Sequence, residues 1–302
     1  MQEIVGYIHA WWRHTDKKVL WIVTLFTAVL IFLNYWFDLD PHISAQNSFG
    51  YSFVGRFLIF YLAFVLPYLA YRFAGGKPYP SNARFVYLLF FAPALFSLKV
   101  ALDLYIPLSE DEYRDHFWNY VLYWPVLVAI VSFILYLNWL LFDRGDRFYG
   151  LSRRNLQTRP YLVMLLMMVP LIAAASTRPE FLYVYPRLNA VAGVGTQVSW
   201  WEALLFELSY GSDFFTIELF FRGFLILGFA RWAGRDAILP MACFYCTIHF
   251  GKPLGECISS YFGGIILGIV VYHTRSIYGG LLVHLGIAWL MELGGYLGNY
   301  FR

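Results

Sequence analysis

The sequence predicts an all-α membrane protein, a polytopic bundle of about nine transmembrane helices. Three observations predict it. Hydrophobic residues make up 60% of the 302-residue chain and charged residues 14%, whereas soluble domains are roughly one-quarter charged. Aromatic residues reach 21%, a surplus that suits belts of Trp and Tyr at the two bilayer interfaces. The apolar residues fall in runs of ~20, the length at which a helix spans a hydrocarbon core; helices are the default because open strands leave their backbone unsatisfied in lipid. A net charge of +3 without a basic run speaks against a nucleic-acid partner. Cys243, Cys246 and Cys257 are few, odd in number and set in apolar sequence, which argues against a disulfide framework.

In chain order, the expected spans are 19–37, 51–72, 85–106, 117–142, 160–176, 214–231, 237–250, 255–273 and 277–298. The first is too long for the core of a cleavable signal peptide and reads as a retained span. The seventh is short for a full crossing. The segments before spans one, three, five, seven and nine hold 14 of the 22 Lys and Arg residues, with Arg144, Arg147, Arg153, Arg154 and Arg159 the densest group. Arg114, Arg178, Arg187, Lys252 and Arg302 lie on the alternate side, and Arg56, Lys99 and Arg222 fall inside spans. This asymmetry predicts a cytoplasmic N-terminus. Short loops and the lack of an organelle signal suggest a bacterial inner membrane. The long connection 177–213 contains Pro179, Pro186, Gly193, Gly195 and the pair Trp200–Trp201, and its 201–210 stretch is amphipathic enough for a short interfacial helix. Residues 1–200 carry few buried charges and 201–302 nearly all the candidate chemistry, within one integrated membrane domain.

Glu218 and Arg222 are four apart in the apolar stretch 214–223, so they share a helix face and can pair. Ionisable groups at membrane depth usually face a cavity or pathway; a structural salt bridge is the plain alternative. His249 and His284 each lie in their own apolar segment. Counted at ~1.5 Å per residue from the predicted cytoplasmic ends, Glu218 lies about 20 Å deep, Arg222 about 14 Å, His249 about 18 Å and His284 about 11 Å. Each histidine alone would be a hydrogen-bonded core residue. Combined with a carboxylate, they can activate water or hold a divalent metal such as zinc at Glu218, His249 and His284. No His-Glu-x-x-His helix is present, and Gly211-Ser212 lacks the following glycine of a nucleophile elbow.

Gly251, Pro253 and Gly255 break the helix after His249. Glu256 then either turns back toward His249 or snorkels outward. Glu292 is expected at the interface. The Cys243-x-x-Cys246-x-x-His249 spacing reads as small core packing, and Gly263-Gly264, Gly268, Gly279-Gly280 and Gly294-Gly295 as close helix contacts in lipid.

In their order, these residues resemble the CPBP family of CAAX-type prenyl endopeptidases and bacteriocin-processing intramembrane proteases. The family's Glu-Glu-x-x-x-Arg, Phe-x-x-x-His and His-x-x-x-Asn motifs are similar to Ile217-Glu218-Leu-Phe-Phe-Arg222, Tyr245-Cys-Thr-Ile-His249 and His284-Leu-Gly-Ile-Ala288. The likeness covers residues 210–290. It implies an intramembrane endopeptidase acting on a membrane-associated peptide or protein. On that reading Glu218 and His249 position and activate water. His284 binds a metal or stabilises the oxyanion, Arg222 keeps Glu218 ionised, and Tyr245, Lys252 and Glu256 support the site. The chain departs from the pattern at three places. Ile217 stands where the family has its water-activating glutamate, Ala288 where an asparagine would help the oxyanion, and Tyr245 where phenylalanine is expected. These departures leave open a lapsed relative that serves as scaffold or regulator. A transporter is a third reading, without an inverted repeat to support it.

Overall fold

The computed structural model describes residues 2–46, 48–79, 82–144, 147–153, 158–192 and 198–301. Arg154, Gly193, Gly195 and Arg302 lie outside the described residues. Every regular element among the described residues is helical: α1 Gln2–His14, α2 Lys17–Phe37, α3 Leu39–Ser44, α4 Phe49–Phe73, α5 Ala83–Ala101, α6 Glu112–Phe142 and α7 Thr158–Ala175; then α8 Pro179–Val184, α9 Asn189–Ala192, α10 Trp200–Ile217, α11 Ala230–Ala233, α12 Ile238–Thr247, α13 Leu254–Thr274 and α14 Tyr278–Tyr300. The chain is an integral multi-pass membrane protein: α2, α4, α5, α6, α7, α13 and α14 are long and apolar enough to cross a bilayer.

Local sequence sets the helix starts. Asp16 caps α2 by accepting the Lys18 and Val19 N–H groups, Asn82 caps α5 at Phe85, and Asp111 caps α6 at Arg114; each fills orphan donors of a first turn. Pro67, Pro93, Pro125 and Pro170 sit inside long helices, which membrane bundles tolerate because neighbours re-satisfy the freed carbonyls.

The two remaining expected spans take other forms, and both carry the candidate chemistry. The stretch 201–210 is not a separate interfacial helix. It is the body of α10, started by a Ser199/Glu202 capping box, and it runs straight into a π-helical segment, Glu218–Gly228. The seventh expected span is α12, 10 residues long. At 1.5 Å per residue that is ~15 Å, about half a hydrocarbon core. All 10 residues are buried, because α2, α4, α13 and the π-helical segment enclose the helix. A short helix is stable there because no part of its backbone meets lipid.

The aromatic surplus is divided between core and periphery. Trp12, Trp21, Trp36, Trp200 and Tyr300 are exposed near helix ends. Phe96, Phe220, Phe221 and Phe244 are instead buried together, with Phe96 4.9 Å from Phe220 and from Phe221 and Phe221 5.2 Å from Phe244 between ring centroids. This plug packs behind the π-helical segment and fixes its rotation. On its other side the turn at Tyr149 and Gly150, both at positive φ, presses in. A Cβ on Gly223 would fall 2.5 Å from the Tyr149 carbonyl oxygen, so only glycine allows that approach.

Candidate active site

The π-helical segment opens on Glu218, and π-type turns concentrate at functional sites. Glu218 and Arg222 are both fully enclosed, with Arg222 Nη1 3.2 Å from Glu218 Oε1. The same oxygen meets His284 Nδ1 of α14 at 3.1 Å. The other oxygen, Oε2, has no partner among the described residues. It lies against Gly280, where an added Cβ would approach to 2.4 Å. Gly280 was expected as a helix–helix contact; its actual neighbour is the carboxylate. Gly264 and Gly268 behave as expected, packing against Ala242 and Met241 of α12, while a Cβ on Gly263 would meet nothing.

Tyr245 ties the cluster together. Its hydroxyl is 3.1 Å from His284 Nε2, its ring lies 4.0 Å under the Arg222 guanidinium, and it stacks edge-on to His249 at 4.8 Å. Its carbonyl oxygen is 3.1 Å from His249 Nδ1. A carbonyl only accepts, so Nδ1 of His249 donates and Nε2 carries the lone pair. By the same logic the Glu218 carboxylate holds the proton of His284 on Nδ1 and leaves Nε2 to accept from the Tyr245 hydroxyl. Both imidazoles are half-buried, unlike Glu218. The structure thus brings Glu218, Arg222, Tyr245 and His284 into one connected network with His249 stacked on its edge.

Lys252 and Glu256 form a second group beside this one. Lys252 donates to the Tyr185 hydroxyl at 2.8 Å and lies 3.4 Å from Glu256, and Tyr185 donates to Glu256 at 3.2 Å. Glu256 therefore turns inward, but toward Lys252 and Tyr185. Burial pushes the Lys252 ammonium down to about 8, against the pull of Glu256, which favours its charged form. Glu292 does not face outward: it is 6% exposed and accepts the Arg187 N–H at 2.8 Å. Tyr185 and Arg187 come from the long connection, where only Pro186 marked the spot in sequence.

The donors expected for a metal do not converge. Both His284 nitrogens are hydrogen-bonded and Glu218 Oε1 is held by Arg222 and His284, which leaves Glu218 Oε2, pressed against Gly280, and His249 Nε2, two donor atoms rather than three. Among the described residues no three His, Cys, Asp or Glu side chains are grouped to hold an ion. The cysteines pack as small core groups, with Cys243 beside Thr27 and Cys246 3.8 Å from Cys257. Ile217 and Ala288, 7% and 4% exposed, add only apolar surface beside the polar network.

Residues 197–290 match the family Rce1-like, described as Type II CAAX prenyl endopeptidase Rce1-like. No curated protein and no solved structure matches the chain. The matched stretch contains α10, the π-helical segment, α12, α13 and the first half of α14, and so every member of the Glu218–His284 network together with His249, Lys252 and Glu256. With the three motifs in order and their polar residues gathered at one place, this region of the chain is similar to the type II CAAX prenyl endopeptidases of the Rce1-like family.

Proposed function

We propose that the chain is a working intramembrane endopeptidase, cleaving a peptide bond of a membrane-associated substrate without the family's first glutamate. The observation that carries the reading is the division of labour around Tyr245. His284 is clamped between Glu218 and the Tyr245 hydroxyl, while His249 Nε2 has no protein partner among the described residues. His249 then acts as general base. Its Nε2 takes a proton from water as the oxygen adds to the scissile carbonyl, and the imidazolium returns that proton to the leaving amine. In the resting site the single Tyr245 hydroxyl proton lies on His284 Nε2; with substrate bound, the hydroxyl releases that contact and turns its proton to the developing oxyanion, the task that Ala288 cannot perform. Glu218 does not touch water in this scheme. It fixes the His284 tautomer, and Arg222 holds it in place through their ion pair. No step passes through a metal.

Cleavage of membrane-anchored reporter peptides by the purified protein tests this. His249→Ala is expected to lower the rate by about 10²–10⁴-fold, the usual contribution of a positioned base, and Tyr245→Phe by about 10²–10³-fold, the loss expected for one oxyanion donor. A His249→Ala protein as active as the parent would remove the base from the scheme.

A second reading rests on Ile217 and Ala288, whose buried apolar side chains occupy the two positions where the family resemblance implies polar groups. On that reading the fold persists as a scaffold or regulator. The parent then cleaves none of the reporters, and the double variant Ile217→Glu with Ala288→Asn gains cleavage. Any turnover by the parent rules this reading out.

A further inference from the structure

Three basic side chains fall inside spans, and two have carboxylate partners: Arg222 on Glu218 at 3.2 Å and Lys99 on Asp213 at 2.8 Å. Arg56 has no ion-pair partner among the described residues. It lies about two turns into α4, is 8% exposed, and donates only to the hydroxyls of Ser52 and Ser44. Ser44 passes the contact on to Asp40 at 3.5 Å, so a carboxylate is reached only through an intervening hydroxyl. A buried guanidinium in this state lacks the compensation that buried charges require.

Arg56 lines a cavity of about 640 Å³ between the start of α4, the 100–105 segment and the first turns of α6. Ser44, Ser52, Tyr120 and Tyr123 add hydroxyls to its wall, and Asp103 stands exposed at its mouth. Phe49 belongs both to this chamber and to a neighbouring groove of about 360 Å³. The groove is wholly apolar, formed by Phe53 of α4, Phe91, Leu95 and Leu98 of α5, and Ile134 of α6. Both volumes are in the range of ligand sites, roughly 300–1,000 Å³. A cation ringed by hydroxyls next to an apolar channel between membrane helices matches one class of molecule, an amphiphile with an anionic head.

We propose that this is a glycerophospholipid site, with the phosphodiester on Arg56 and an acyl chain in the Phe53–Ile134 groove. Arg56 supplies the planar fork that pairs with phosphate oxygens, and basic pockets between membrane helices take phospholipid headgroups in this way. Free phosphate shares the head chemistry but would leave the groove unfilled. The site lies on α4, α5 and α6, apart from the Glu218–His284 network, and does not depend on the chain being a protease.

Native mass spectrometry of the full-length protein in neutral maltoside detergent tests it, with titration of dioleoyl phosphatidylglycerol, dioleoylglycerol and inorganic phosphate. The expected result is one saturable phosphatidylglycerol, bound at least tenfold more tightly than dioleoylglycerol or inorganic phosphate. Arg56→Gln is expected to weaken that binding at least tenfold. Leu98→Trp, which fills the groove while keeping the chamber, should weaken it comparably. If Arg56→Gln does not yield folded protein, Ser52→Ala and Leu98→Trp carry the test. Absence of a bound phospholipid in the parent, equal binding of dioleoylglycerol, inorganic phosphate binding as tightly as the phospholipid, or variants that bind as the parent does would each overturn the assignment.

Discussion

Replacing Glu218 with alanine is expected to lower stability by about 3–5 kcal/mol, the usual cost of removing one member of a buried ion pair. Glu218 and Arg222 are both wholly enclosed, so the variant leaves a guanidinium with no countercharge and only the Tyr245 ring, 4.0 Å away, to face. His284 Nδ1 loses its acceptor at the same time. Thermal unfolding in detergent, followed by intrinsic fluorescence, measures the effect. The informative companion is the double variant Glu218→Leu with Arg222→Met. Removing both charges spares the desolvation of each, so this protein should recover most of the lost stability while remaining inactive. An alanine variant that melts with the parent would mean the pair is neither buried nor coupled as described.

Gly280→Ala is expected to have the next largest effect. Its methyl group would stand 2.4 Å from Glu218 Oε2, an oxygen that cannot retreat, because Arg222 and His284 hold its twin. The carboxylate must swing and release His284, or α14 must move away. Overpacking of this kind costs about 1–3 kcal/mol, and a misplacement near 1 Å at a catalytic group costs about 10²-fold in rate. Gly263→Ala is the matched control, since a Cβ there meets nothing within 4 Å, and it should leave melting and cleavage unchanged. Equal melting and equal cleavage in the two variants would show that Gly280 does not position the carboxylate.

Much of the architecture could be read from composition, because a 60% hydrophobic chain has few ways to satisfy its backbone in lipid. The Glu218–Arg222 pair was also legible, since helical spacing of four brings two side chains together whatever surrounds them. Contacts between helices were not. That His284 reaches Glu218, and that Tyr245 lies between His284 and His249, depends on how α10, α12 and α14 are rotated about their axes, and apolar runs in lipid carry little periodicity to reveal it. The burial of Glu292 was hidden for the same reason: its partner, the Arg187 N–H, lies in the long connection, and nothing in an apolar helix announces it. The length of α10 could have been read, because Ser199-x-x-Glu202 is a capping-box signature placed directly before an apolar run. The ending of α12 at Thr247 could not, since its apolar run continues to Phe250 and only the enclosing helices allow so short a rod.

The π-helical stretch from Glu218 to Gly228 makes this lineage vulnerable to a very small genetic event. Its turns bond i to i+5 and so hold one residue more than ordinary turns. Loss of a single codon inside it would let the ladder tighten to the common pattern, with no gap and no exposed backbone. The chain past Gly228 would keep its heading, while each residue between the deletion and the end of the segment would take its neighbour's place on the helix. Arg222 would then look toward different neighbours while the rod still sat in the bilayer at nearly its former length. Descendants could shed the chemistry in one step and keep the anchorage, a route from enzyme to inert membrane component that needs no substitution at any polar position.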